Sequence, residues 1–103
     1  MQSNTLDIVT LKIDRAQECL DRGLILAMFG DNEAAARFYR KALLLDNSNA
    51  LAHYMLGLAL MDDGEANDAL QEWRVAASSH CSDSRTEWAR TECAKLLNEY
   101  RTL

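Results

Sequence analysis

The chain has 103 residues, 49% of them hydrophobic and 26% charged, with a formal net charge of −5, the make-up of one globular domain with a modest core. The acidic balance opposes binding to a phosphate backbone, so no nucleic acid is expected as partner. No long apolar run is present and MQSNTLDIVTLKIDR lacks the basic start and apolar block of a secretory leader, so neither a membrane span nor a signal peptide is expected. Three cysteines, an odd number, suit a reducing compartment better than a disulfide framework, which places the protein in the cytoplasm.

Residues 1–15 read as an N-terminal arm. Leu6, Val9 and Ile13 follow a helical period, and Val9 breaks the alternation that a strand would need, so the arm is either helical or extended. Met1 to Asn4 are expected to be disordered. Asp14 with Gln17 three residues on resembles a capping box, which predicts a helix from about Arg15 to Phe29. Gly30 and Asp31 supply a turn, with Asp31 or Asn32 as the next N-cap, and a second helix runs from about Glu33 to Leu45. The cluster Asp46-Asn47-Ser48-Asn49 is a turn. A third helix spans about Ala50 to Asp63 and ends at Gly64, a natural left-handed position. A fourth runs from about Asn67 to Ser79. Ser84 with Glu87 is a further capping-box pattern, opening a fifth helix that reaches about Tyr100. No segment reads as a strand, and the short turns make neighbouring helices antiparallel.

Residues 16–49 and 50–83 form two consecutive copies of one unit. At an offset of 34 residues the copies share Ala16/Ala50, Gly23/Gly57, Leu24/Leu58, Leu26/Leu60, Gly30/Gly64, Ala35/Ala69, Arg40/Arg74, Ala42/Ala76 and Ser48/Ser82. A fixed period of this length is the signature of stacked helical repeats. Glycine inside a helix costs roughly 1 kcal/mol relative to alanine, so its return at Gly23 and Gly57 predicts close backbone packing. Tyr39 and Trp73, at matching places in the second helix of each unit, are the large side chains expected to lie opposite.

These residues resemble the tetratricopeptide-repeat (TPR) family. Gly23 and Gly57 stand at its glycine position, Leu26 and Leu60 at its large mid-helix position, Ala35 with Ala69 and Ala42 with Ala76 at its two alanines, and Tyr39 and Trp73 at its aromatic place. The resemblance covers residues 16–83. It departs from the pattern at Cys19 and His53, where a tryptophan is usual, at Arg22, where a leucine is usual, and at Asn47 and Cys81, where a proline closes the unit. It implies an all-α fold of two helix-turn-helix repeats in a short right-handed superhelix. Residues 84–103 would then be a capping helix whose apolar face, with Trp88, Ala89, Cys93, Leu96, Leu97 and Tyr100, covers the second repeat or packs across a dimer interface.

Catalytic chemistry finds little support. His53 falls at a repeat-core position, and His80 with Cys81 lacks the spacing of a zinc site. Cys93 lies on an amphipathic helix and reads as core. Asp62-Asp63-Gly64 is a helix end without the spaced ligands of a calcium loop. No catalytic residue, cofactor site or metal site is assigned, and the chain is not expected to be an enzyme.

In TPR proteins the inner surface of the superhelix is lined by particular positions of each first helix. The resemblance places Gln17, Leu20, Leu24, Ala27 and Met28 there from the first repeat, and Leu51, Tyr54, Leu58, Met61 and Asp62 from the second. The stripe is largely apolar, so something must cover it. The candidate partner-binding residues are Leu20, Leu24, Met28, Leu51, Tyr54, Leu58 and Met61. The cover is an apolar peptide or amphipathic helix of another protein, the chain's own residues 5–13, or a second copy in an isologous dimer; alternatively the leucines simply pack helix against helix. Relatives that grip terminal carboxylates carry Lys, Arg and Asn on this surface across three repeats. Leu20, Leu24 and Met55 stand at the matching places here, so that mode is disfavoured. The expected function is a protein–protein interaction scaffold, with a homodimeric assembly element as the alternative.

Overall fold

The structure, a computed structural model, describes residues 5–80 and 83–101, with backbone alone for Thr5, Leu6 and Asp7. The expected disorder of Met1–Asn4 and the readings of Cys81, Ser82 and the Leu6 side chain lie outside the described residues. Five helices follow one another: α1 Thr5–Met28, α2 Asn32–Leu45, α3 Ala50–Asp62, α4 Ala66–Ala77 and α5 Ser84–Arg101. No strand occurs among the described residues.

The period seen in the sequence is built from repeated local chemistry. Gly30 and Gly64 both have φ +83°, a conformation that glycine adopts without steric cost. Each ends its helix with the same pair of bonds. Gly30 N–H donates to Ala27 O and Asp31 N–H to Leu26 O, while Gly64 N–H donates to Met61 O and Glu65 N–H to Leu60 O. These are matching Schellman closures, and each reverses the chain into the next helix. Asp31 then accepts from Ala34 N–H at 3.1 Å and Asn49 from Ala52 N–H at 3.1 Å, capping α2 and α3.

Each repeat pairs its helices through the glycine. A Cβ on Gly23 would lie 2.5 Å from a Tyr39 ring carbon, and one on Gly57 would run into the Trp73 indole. Both aromatic rings are 1% exposed. Helix α1 lies on α2 and α3 on α4; α2 also lies on α3, and α5 lies on both α3 and α4. Helix α3 is therefore central. Its buried residues are Ala50, Leu51, Ala52, His53, Leu56, Gly57, Ala59 and Leu60, which together point most of the way around it, as a helix enclosed on several sides requires.

Two of the expected N-terminal caps, at Asp14 and Ser84, are not where the helices are capped. The helix expected to start near Arg15 is already helical at Thr5, so Asp14 lies inside α1 and caps nothing. No glycine or proline interrupts 5–14, so the backbone ladder simply continues upstream of the apparent box. Ile8, Val9, Leu11 and Ile13 are 45–58% exposed; they extend the helix and do not fold back over the repeats. At α5 the cap is Asp83, not Ser84. Asp83 accepts from Thr86 N–H at 2.9 Å, and its carbonyl accepts from Glu87 N–H. The Glu87 carboxylate of the expected box is instead paired with Arg90.

Candidate functional site

Three helices present one common side. Tyr54 of α3 and Trp88 of α5 meet edge to face, with ring centroids 5.4 Å apart and planes at 84°. Arg85 of α5 reaches Asp21 of α1 at 3.6 Å, spanning α3 between them. Near the N-terminal ends of α3 and α5, Leu51 and Arg85 line one depression of about 210 Å³ together with Gln17 from the middle of α1. The first helix of each repeat and α5 thus form the three rows of a shared surface.

On this surface the sequence-predicted residues divide. Leu20 is fully buried and Leu51 is 7% exposed, so both belong to the core. Leu24, Tyr54, Leu58 and Met61 are half-buried and packed against that core. Met28 is 84% exposed. The structure adds Trp88, 51% exposed, which the sequence reading placed on the covering face of the last helix. A signal for it was present. Continuing the 34-residue offset beyond Asp83 aligns Trp88 with Leu20 and Tyr54, and Glu92 with Leu24 and Leu58. The third row is a first-helix equivalent that differs from the other two in residue type.

The electrostatics of the face are mixed. The Tyr54 hydroxyl is held above its ordinary pKa by burial and then by the negative charge of Glu92. Glu92 in turn meets Lys95 at 3.1 Å. With Asp21–Arg85 this gives an apolar band edged by opposite charges in pairs. Such a surface offers burial area and orientation.

The titratable groups singled out in the sequence are structural in their contacts. His53 is 8% exposed. Its Nδ1 lies 2.7 Å from Glu72 Oε1 and its Nε2 lies 2.9 Å from the Asn47 carbonyl. Both partners are acceptors, so both ring nitrogens donate. Burial opposes the charged ring, but the Glu72 and Asn47 bonds and the nearby Glu72 and Asp46 charges outweigh it, and the pKa is raised. Cys93 is fully buried, and burial, helped by Glu92, pushes its thiol up to about 12. It is therefore no thiolate near neutrality. Among the described residues no three His, Cys, Asp or Glu side chains converge as metal ligands, and no helix is long and apolar enough to cross a membrane.

Comparison with known families finds a match to a family described as TPR repeat, over residues 23–64. That span runs from the packed Gly23, through the inter-repeat turn, to the closing Gly64. No curated protein and no solved structure matches the chain.

Proposed function

Because the chain is a tetratricopeptide-repeat-like protein, of a family whose repeats generally mediate protein–protein interaction and are typically non-enzymatic scaffolds, we propose that it binds an apolar segment of another protein on the side shared by α1, α3 and α5. The observation that carries this reading is the half-exposed Trp88 set edge-on against Tyr54. An exposed aromatic held rigid by a second ring is an anchor that loses little entropy on binding. Leu24, Leu58, Met61 and Met28 continue the apolar band away from it. Leu20 and Leu51 support the band from beneath and make no contact with the ligand. The partner is a peptide or amphipathic helix whose apolar side chains leave water there, at about 25 cal/mol per Å² of apolar area. The charge pairs at the edges set its direction.

Self-association through the same face is the second reading. Asp21 with Arg85 and Glu92 with Lys95 leave the rim without a dominant sign, so a second copy meets no general repulsion. Affinity capture and light scattering on four proteins separate the readings: the native chain, Leu24→Glu with Leu58→Glu, Met28→Glu, and Trp88→Ala. The substituted proteins are expected to keep native helicity by circular dichroism and to lose the bound protein. A native chain that dimerises, and variants that do not, favours self-association. Unfolding of the double variant would place the leucines in the core; captured protein that then survives both Met28→Glu and Trp88→Ala defeats the proposal.

A further inference from the structure

The outer side of the first repeat, facing away from α3, is as uncovered as the equivalent side of the second repeat is covered. Glu18, Arg22, Ile25 and Leu26 of α1 correspond, 34 residues on, to Ala52, Leu56, Ala59 and Leu60 of α3. Helix α2 lies against α3, and those four residues are 0, 3, 6 and 4% exposed. No described helix precedes α1, and there Ile25 is 54% and the neighbouring Phe29 84% exposed. The repeat geometry therefore already shows a helix seated on this side of a first helix.

The open side has a defined shape. Two depressions, of about 440 and 280 Å³, meet at Arg22. One runs beside Leu11, Arg15 and Leu45, the other beside Ile25, Leu26 and Phe38. From Leu11 to Leu26 the trough follows about 22 Å of helix, four turns. Its charge runs against that of the chain. Arg15 and Arg22 border it, and Lys41 sits 5.0 Å from the Phe38 ring centroid. Glu18 is the single acid among the lining residues, on a chain whose net charge is −5. No described residue forms an ion pair with Arg15, Arg22 or Lys41.

We propose that this trough is a second docking surface, separate from the α1–α3–α5 face, and that its occupant is an amphipathic helix of another protein carrying acidic residues beside its apolar stripe. The apolar floor receives the stripe as α3 receives α2, and the three cations receive the acids. A second copy is the poorer occupant, because a two-fold contact through the trough sets the cations Arg15 and Arg22 of one copy against those of the other.

Fluorescence anisotropy of the full chain tests this with two synthetic amphipathic helices of identical leucine stripe, one flanked by glutamates and one by lysines. The glutamate helix is expected to bind at least about ten-fold tighter, with a preference that shrinks as salt rises. Arg15→Glu with Arg22→Glu, at exposed positions that leave the fold intact by circular dichroism, is expected to reverse the preference. Met28→Glu, on the other face, is expected to leave it unchanged. Equal binding of both helices, binding of neither, or loss through Met28→Glu overturns the proposal. So does sedimentation showing a dimer that Ile25→Glu dissociates, since that assigns the trough to a second copy.

Discussion

Residues 39 and 73 hold the same place in the two repeats and solve it differently. The Trp73 indole N–H donates to the Tyr54 carbonyl at 3.2 Å. The Tyr39 hydroxyl is buried with no partner among the described residues, and burial raises its pKa. A desolvated hydroxyl without a partner is a net cost, and removing it leaves the ring's packing in place. Tyr39→Phe is expected to leave stability unchanged or raise it by up to about 1 kcal/mol, read from urea unfolding. Gly57→Ala should act the other way. The new methyl collides with the Trp73 indole, which is enclosed and hydrogen-bonded and has nowhere to swing. The gain of about 1 kcal/mol from replacing a helical glycine is exceeded by overpacking of about 1–3 kcal/mol. The expected result is a lower thermal midpoint with the far-ultraviolet spectrum retained. Both pairings, glycine against aromatic, were legible from spacing alone. The fate of the hydroxyl was not, because a partner across the core depends on where a neighbouring carbonyl falls.

At the scale of elements, the two repeats are fastened by the turn between α2 and α3. Asp46 folds it by accepting from both the backbone N–H and the hydroxyl of Ser48. His53, in α3, then ties the turn carbonyl of Asn47 to Glu72 in α4. The groups that face the ring are thus Glu72, Asn47 O and the more distant Asp46 charge. Since the folded pKa is raised above the ordinary 6.5, the charged ring's contribution is complete below 6.5. It is lost as pH rises from there through the folded value. Native protein should therefore become easier to unfold with urea across that window, and His53→Gln should flatten the slope. Asp83, the cap of α5, has a lowered pKa, chiefly from the Thr86 backbone bond; its contribution disappears only as pH falls through that lower value, so the two effects do not overlap. The sequence marked His53 as a core residue because it stood where the family has tryptophan, but its two acceptors lie 6 and 19 residues away. The start of α1 and the cap of α5 were misplaced for a related reason. A capping box is a local pattern, and Asp14 and Ser84 each lost to a neighbouring stretch that could also be helical or cap.

For the molecule as a whole, the repeats predicted how the chain stacks and left open which sides stay wet. Leu20 and Leu24 are both leucines on one stripe of α1, yet only the second reaches the surface; a fraction of a turn decides it, and neighbouring helices set that turn. Trp88 was hidden because α5 repeats the geometry of α1 and α3 without repeating their residues. The same stacking predicts an uneven stability. Helix α3 is enclosed by α2, α4 and α5, whereas α1 carries an overhang whose Ile8, Leu11 and Ile13 are at least half exposed. In a repeat array stability is the sum of each unit and its interfaces, so an end with one neighbour opens before a centre with three. The overhang is shorter than a helix that stands alone in water, and packing further along α1 holds it only at one end. Native-state hydrogen exchange should therefore show the slowest amides in α3, at Leu56, Ala59 and Leu60, exchanging only with global unfolding. Protection should fall along α1 from Gly23 towards residues 8–13, which exchange by local fraying and show little dependence on urea. Uniform protection along α1, or α3 opening before it, would contradict the order of packing.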